Sequence, residues 1–258
     1  MLHNIYFDYG YYSSFTEKVY LIKKYGFDGV FIFYDDDIDL KVKLIKEVGL
    51  NIESIHLPFK DCNSIWLEEI KGEEYTDLMI KGILYASKNN IKTVIIHITS
   101  KIPPKMSEVG FLRLEKILKF AKDKNVYVAL ENLRSLEYLD AIYNRFNYSS
   151  LKFCFDIGHA CGFTKNLKTY PWEKYMDKVV ALHLHDNDLK NDLHFIIGDG
   201  LIDFDYFAMM YKKFNLDLPL TSEAVGKRYC HLINESEFLR KTKERLEHLE
   251  KMIGETNV

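Results

Sequence analysis

The sequence predicts an α/β protein, a single-domain (β/α)8 TIM barrel over residues 1–258. Three observations carry this reading. Short apolar runs alternate strictly with longer stretches of helical period, the pattern of parallel βαβ units. Several runs are continuous in Val, Ile, Leu, Phe and Ala, as expected for a parallel sheet covered on both faces. Eight such pairs fit in 258 residues, close to the roughly 250 of a typical barrel. A doubly wound open sheet is the structural alternative. It usually carries a Gly-rich phosphate turn after the first strand, and "FDYGYYSS" lacks that fingerprint.

The elements follow in order. The first run is "IYFD" (Ile5 to Asp8), followed by the helical "SFTEKVYLIKKYG". The second is "GVFIFY" (Gly29 to Tyr34), followed by "IDLKVKLIKEVG". Gly26 and Gly49 end these two helices where a left-handed cap is expected. "NIESIHL" precedes a long charged helical segment reaching Asn90, and "TVIIHI" precedes a helix around "RLEKILKFAKDKN". "VYVALEN" pairs with "SLEYLDAIYNRF", and "LKFCFDIG" with a shorter helical piece near "PWEKYMDK". "VVALHLHD" leads through a polar loop to "YFAMMYKKFN". "LPLTSEA" and "ESEFLRKTKERLEHLEKMI" close the chain, the last a solvated helix face with i,i+4 pairs. No Gly/Ser linker, low-complexity tract or composition break divides the chain.

Bulk properties narrow the function. With a formal net charge of -3, the chain lacks the bulk basic footprint of a nucleic-acid binder, although a local basic groove stays open. Four scattered cysteines without a C-x-x-C pair suit reduced thiols in the cytoplasm. "MLHNIYFDYG" has neither a basic nor an apolar leader region, and no run reaches the roughly 18 apolar residues of a membrane span. Neither a signal peptide nor an anchor is expected.

In such a barrel, catalytic residues gather at the C-terminal ends of the strands. Run three ends at His56 in "SIHLPF" and run four at His97 in "IIHITS". Run five ends at Glu131 in "ALENL". Run six ends at Asp156, with His159 three residues on. Run seven ends at His183, His185 and Asp186, and its loop holds Asp192 and His194. Run eight ends at Glu223 in "LTSEAV". Six of the nine histidines fall here, which separate structural reasons explain poorly. Buried carboxylates need a partner or a metal, and neither "VALENL" nor "FCFDIG" places a cation beside its acid. Imidazole and carboxylate together suit Zn, Mn, Fe or Co. No cysteine takes a matching strand-end position, so the shell has a catalytic rather than a structural character. Asp8 and Tyr34 end the first two runs and are further pocket candidates. His183 and His185 share a face by strand parity, so parity cannot choose between them as ligand. Asp186 is placed to orient a ligand histidine. Lys227 and Arg228 follow the last run, as a solvated loop or a phosphate contact. His3, His231 and His248 lie outside the constellation.

These motifs together resemble the xylose isomerase-like TIM barrels, from about Asn4 to the helix after Glu223. That group holds sugar and sugar-phosphate isomerases and epimerases, and the endonuclease IV type of abasic-site nuclease. In the isomerase and epimerase branch, the resemblance implies one divalent metal on Glu131, Asp156, His183 and Glu223. The two glutamates then also act as the acid/base pair that moves a proton next to a carbonyl, while the metal stabilises the enediolate charge. His159 is implied to contact substrate oxygen. In the nuclease branch, three zinc ions are implied on nine residues: His56, His97, Glu131, Asp156, His159, His183, Asp192, His194 and Glu223.

The departures weigh between the branches. The chain has "ENLRS" and "CGFTKN" where the nuclease pattern differs, and its overall balance is acidic. "GDGLIDF" (Gly198 to Phe204) is similar to an isomerase-branch loop. Phe59 and Lys60 stand where a nuclease wedge would be, but an aromatic at a rim also suits substrate packing. The expected function is therefore a metal-dependent isomerase or epimerase of a small sugar or sugar phosphate. Glu131 and Glu223 are its catalytic residues, His159, Phe59 and His185 its substrate contacts, and one to three ions of Zn, Mn, Co or Fe its cofactor. The alternative is a multinuclear zinc phosphodiesterase whose partner is DNA, and a third reading is a metal-binding member without such turnover. A homo-oligomer is compatible with either chemistry.

Overall fold

The computed structural model describes residues 1–162 and 166–256; residues 163–165, inside the "CGFTKN" departure, lie outside the described residues. Eight parallel strands form the barrel: β1 (His3–Tyr6), β2 (Gly29–Phe33), β3 (Asn51–His56), β4 (Thr93–Ile96), β5 (Tyr127–Glu131), β6 (Leu151–Asp156), β7 (Val179–His183) and β8 (Leu220–Ser222). They run in the order β7-β6-β5-β4-β3-β2-β1-β8. The seam between β7 and β8 closes one residue beyond β7, where Leu184 bridges to Ser222 and bonds through its N–H to Thr221 O at 2.9 Å. The expected fold is therefore present.

Among the described residues, eight helices follow the strands: α1 (Phe15–Lys24), α2 (Ile38–Glu47), α3 (Ile70–Lys88), α4 (Glu108–Asp123), α5 (Leu136–Arg145), α6 (Ile157–Gly162), α7 (Phe204–Lys213) and α8 (Glu235–Glu255). The first is fixed by a capping box. Ser14 Oγ accepts from the Glu17 N–H while Glu17 accepts from the Ser14 N–H, which satisfies two orphan helix donors. Gly26 and Gly49 adopt φ of 79° and 69°, the left-handed caps the sequence predicted. Among the described residues, no helix is long and apolar enough to cross a membrane.

Two elements differ from the sequence reading. The segment expected to be helical up to Asn90 is split. A 3-10 turn at Cys62–Trp66 precedes α3, and buried Arg113 holds it by donating to the carbonyls of Ser64, Ile65 and Leu67 at 2.6–3.2 Å. The piece near "PWEKYMDK" is not a helix but part of three short 3-10 turns, Leu167–Thr169, Trp172–Lys174 and Met176–Lys178. Pro171 has no N–H to continue a ladder. Trp172 turns inward instead, donating to Leu167 O at 2.8 Å and packing 4.9 Å from the Phe155 ring. The helix of this unit is α6, directly after β6.

Small side chains fill part of the barrel interior. Ile95, Ala129, Cys154 and Ala181 pack there as their own buried cluster, while the larger apolar residues fill the layer between strands and helices. Ala129, Cys154 and Ala181 leave room above them for the polar residues that end their strands.

Candidate metal centre

The polar strand ends converge at the C-terminal mouth of the barrel. One donor atom from each of Glu131, Asp156, His183 and Glu223 lies within 4.8 Å of the others. All four residues are buried. They come from β5, β6 and β7 and from the residue after β8, so the barrel's circular order places them face to face. A second group joins His56, His97 and Glu131, and a third His185, His194 and Glu223, by the same measure. Asp192 faces the third group, with Oδ1 3.1 Å from His194 Nε2 and Oδ2 3.5 Å from His159 Nε2. All nine residues expected as ligands are thus brought to one site.

The donor atoms fit a divalent metal. Asp156 Oδ2, Glu223 Oε2 and both ring nitrogens of His183 are buried without a hydrogen-bond partner. Buried polar atoms are ordinarily paired. Here they crowd one another without bonding: His183 Nδ1 stands 3.4 Å from Glu223 Oε2 and 3.7 Å from Glu131 Oε1. Imidazole nitrogens and carboxylate oxygens aimed at a common point are what a metal of the zinc or manganese type takes.

Electrostatics separates the two glutamates. Burial opposes ionisation of Glu131, but the charges of His97 and His183 and the approach of His159 Nδ1 to 3.0 Å from Oε1 more than offset it and hold its carboxyl well below the usual range. Glu223 is pushed well above that range by burial and by the negative charges of Asp156 and Glu131. Burial pushes His56 down to about 4. His159 is held well above its ordinary value, since Asp156, Asp192 and Glu131 outweigh its burial.

A cavity of about 270 Å³ opens over these groups. Its walls include Tyr6, Phe33, Phe59, His97, His159 and Glu223. Phe59 stacks on His97 with centroids 4.7 Å apart and forms the rim. Size alone does not select this cavity. A larger open groove of about 630 Å³ lies beside Tyr12 and Tyr20, without a histidine. A cleft of about 550 Å³ adjoins the cavity, sharing Tyr6, Phe33 and Phe59, and is lined further by Asp8, Tyr34, Asp35 and Asp37. Lys41 is neutralised there by Asp8 and Asp35, at 2.6 and 2.5 Å. Asp8 and Tyr34 therefore line this outer cleft rather than the inner cavity, because β1 and β2 end at Tyr6 and Phe33.

Several placements revise the sequence reading. His185, expected as a substrate contact, is fully buried and does not line the cavity. Its Nε2 is 3.3 Å from Asp156 Oδ2, and its ring stacks beneath His194 at 4.1 Å. Asp186 does not orient a ligand histidine, because its carboxylate is taken by four backbone N–H groups of its own loop. Cys154 was not expected at this site, yet its Sγ lies within 4.8 Å of donor atoms of Glu131 and His183. Parity carried the signal, since Cys154 and Asp156 are two apart on β6. Burial and the nearby carboxylates push its thiol well up, which favours the four oxygen and nitrogen donors over sulfur. Asn132 was also missed. Its amide donates to Asp156 O and accepts from Asp156 N, both at 2.8 Å, and so fixes the end of β6.

Gly158 tests this packing. A Cβ there would lie 1.9 Å from His185 Cε1, so Gly158→Ala must displace a buried ring. Overpacking of this kind costs roughly 1–3 kcal/mol, and thermal unfolding should show a Tm lower by several degrees. An unchanged Tm would mean that His185 has room to move.

The comparisons place the chain among known proteins. The uncharacterized protein MJ1311 of Methanocaldococcus jannaschii is 24% identical over 261 residues, covering 86% of this chain and 87% of that protein. Among solved structures, an L-ribulose 3-epimerase superposes with a TM-score of 0.78 at 14% identity, covering 97% of this chain and 96% of the other. A D-psicose 3-epimerase from Clostridium cellulolyticum H10, solved with D-tagatose, gives 0.79 at 13% identity and 98% and 99% coverage. Such low identities establish the shared fold. The family described as xylose isomerase-like TIM barrel matches residues 19–252, nearly the whole barrel, and the chain belongs to that family.

Proposed function

We propose that the protein is a divalent-metal-dependent isomerase or epimerase of a small sugar, moving a proton on the carbon next to a carbonyl. The observation that carries this reading is the convergence of Glu131, Asp156, His183 and Glu223 at the base of an aromatic-walled cavity of about 270 Å³. A bound metal supplies polarisation of the substrate's carbonyl and hydroxyl oxygens. Glu131 and Glu223 remove and return the proton. Two carboxyls whose environments push their proton affinities apart suit such an exchange. His159, which keeps its proton, donates to a substrate oxygen. Tyr6, Phe33 and Phe59 pack against the sugar and exclude water. The structures similar to this chain include epimerases named for L-ribulose and D-psicose, which supports the choice of sugar.

The test is solvent-deuterium incorporation into ketoses and ketose phosphates, followed by NMR with zinc, manganese or cobalt supplied. Incorporation at the carbon beside the carbonyl is expected. None across a broad sugar panel, with metal bound, would sink the proposal.

A second reading is favoured by one observation: His56, His97 and Glu131 form a further donor group that shares Glu131 with the first. Two or three metals so bridged would suit phosphodiester hydrolysis. The outer cleft offers little to a DNA partner: phosphate backbones are bound by Lys and Arg, but its Lys41 is held by Asp8 and Asp35, which leaves Lys60 and Asp37 as the other charges of the lining. Metal content per chain, with cleavage of an abasic duplex, separates the readings. One metal and no cleavage support the isomerase, and two or three with cleavage the hydrolase.

A further inference from the structure

Below the metal group the barrel holds a second buried polar layer, and a bulge in β3 builds it. Val30 pairs with Ile52 and Phe31 with Ser54, so Glu53 is the extra residue. A bulge re-aims a side chain. Here it sends the Glu53 carboxyl past β2 and β1 to β8, where Thr221 Oγ1 donates to Oε2 at 2.7 Å. Gly29 makes the space, since a Cβ there would lie 2.8 Å from Asn4 Oδ1 and 2.7 Å from Asn51 O. Asn4 pairs with Thr221 across β1 and β8 and brings Nδ2 to 3.5 Å from its hydroxyl. Asn4 Oδ1 and Glu53 Oε1 are both buried without a hydrogen-bond partner. A proton on Glu53 converts one of these acceptors into a donor.

β8 needs such a hold. It is three residues long, and its β7 side is joined around one residue, Leu184, which bridges Ser222, donates to Thr221 O and accepts from the Glu223 N–H, both at 2.9 Å. Thr221 and Glu223 point to the same face of their strand, roughly 7 Å apart. We propose that Glu53 is a positioning residue: by holding Thr221 from the foot of the barrel, it fixes β8 and aims Glu223 at the donor atoms of Glu131, Asp156 and His183. The proposal rests on the metal reading of the site and not on which reaction follows. Burial pushes the Glu53 carboxyl up to about 7, against the hydrogen bond of Thr221, the charge of His183 and the amide of Asn4. The titratable groups that face it are His183, from β7, and the Cys154 thiol, from β6, while β1 and β8 present neutral Asn4 and Thr221 and β2 the bare Gly29. A carboxyl raised from 4.5 to about 7 contributes stability that is full below pH 4.5 and is lost as pH rises through about 7.

The experiment titrates zinc alone into wild type, Glu53→Gln, Glu53→Ala, Thr221→Val and the Glu53→Ala, Thr221→Val double variant by calorimetry, and follows Tm from pH 4.5 to 8 without metal. The wild-type titration tests the metal reading separately, and the unfolding series reads Glu53 whatever that titration gives. Glu53→Gln should keep near wild-type affinity, since its amide oxygen still accepts from Thr221. Glu53→Ala and Thr221→Val should each weaken zinc binding about 10-fold, and the double variant no more than the worse single one. The wild-type Tm should fall more steeply than that of Glu53→Gln between pH 4.5 and 7. The proposal is overturned if Thr221→Val binds zinc as wild type does, if Glu53→Gln is as impaired as Glu53→Ala, or if the two pH profiles coincide. Should Glu53→Ala fail to fold, the near-isosteric Thr221→Val and Glu53→Gln decide.

Discussion

Glu131→Gln should remove metal binding and proton exchange together. Glu131 contributes to the main four-donor group and to the His56–His97 group. Its Oε2 lies 2.9 Å from His97 Nε2 and 3.2 Å from His56 Nε2, and its Oε1 lies 3.0 Å from His159 Nδ1. An amide has the same shape, but it offers one oxygen and no charge. Its NH2 then points at imidazole nitrogens or at the metal. Loss of a positioned acid or base alone costs roughly 10²- to 10⁴-fold in rate, and loss of the metal adds to this. Elemental analysis should find less than the wild-type metal content, and NMR should find exchange at least about 10²-fold slower. A variant with full metal and undiminished exchange would remove Glu131 from both roles. Full metal with lost exchange would leave Glu131 as acid/base only. Because Glu131 is the carboxylate that His97 and His159 face, replacing it leaves their buried charge less compensated, a cost of typically about 3–5 kcal/mol. Circular dichroism should therefore accompany the measurement, so that loss of function is read on a folded variant with a lowered Tm.

Much of this centre was legible in the sequence because a barrel converts strand order into geometry. The continuous apolar runs set eight buried strands, and the last residue of each run then had to lie at one mouth. His56, Glu131, Asp156 and His183 end β3, β5, β6 and β7, and His97 and Glu223 follow β4 and β8 by one residue. What the sequence could not give was depth. His183 and His185 share parity, yet β7 ends between them, so one joins the main donor group while the other drops beneath His194. Glu53 was hidden for a related reason. Strict alternation assumes an unbroken register, and the bulge between Val30 and Phe31 breaks it. Cys154 followed the alternation rule, but an apolar-looking run masked it. The 3-10 turns after β6 depend on where Trp172 finds an acceptor, a tertiary fact that local period does not encode.

Asp186→Ala should be the most destabilising change near the site that removes no member of the main four-donor group. The carboxylate of Asp186 organises the loop from Asn187 to Ile202. Oδ1 accepts from the N–H groups of Asn187 and Ile202 at 2.8 and 3.0 Å. Oδ2 accepts from those of Gly198 and Gly200, both at 2.9 Å. Gly198 adopts φ of 82°, and a Cβ on Gly200 would lie 2.4 Å from Asp186 Oδ1, so "GDG" is the backbone shape that wraps a carboxylate. Backbone bonds between Asp186 and Phe195, at 2.8 and 2.9 Å, fold the intervening turn back over the cavity and deliver Asp192 and His194 to it. Alanine strands four donors, each a cost of about 1–3 kcal/mol where water cannot reach. The losses are not additive, and removal of one buried charged partner is typically about 3–5 kcal/mol. At roughly 2–4 °C per kcal/mol for a chain of this size, Tm should fall by about 10 °C. Asp186→Asn keeps one accepting oxygen and turns an NH2 toward two of the donors, so it should fall between wild type and alanine. Metal content should then separate the loop from the barrel. The donors Asp192 and His194 arrive with the loop, whereas Glu131, Asp156, His183 and Glu223 are held by strands. If Asp186→Ala keeps one metal while wild type binds more, the extra ions belong to the loop. If both bind one, Asp192 and His194 serve the substrate, and the four strand-held donors are the whole metal site. An unchanged Tm would show that the loop is held by something other than Asp186.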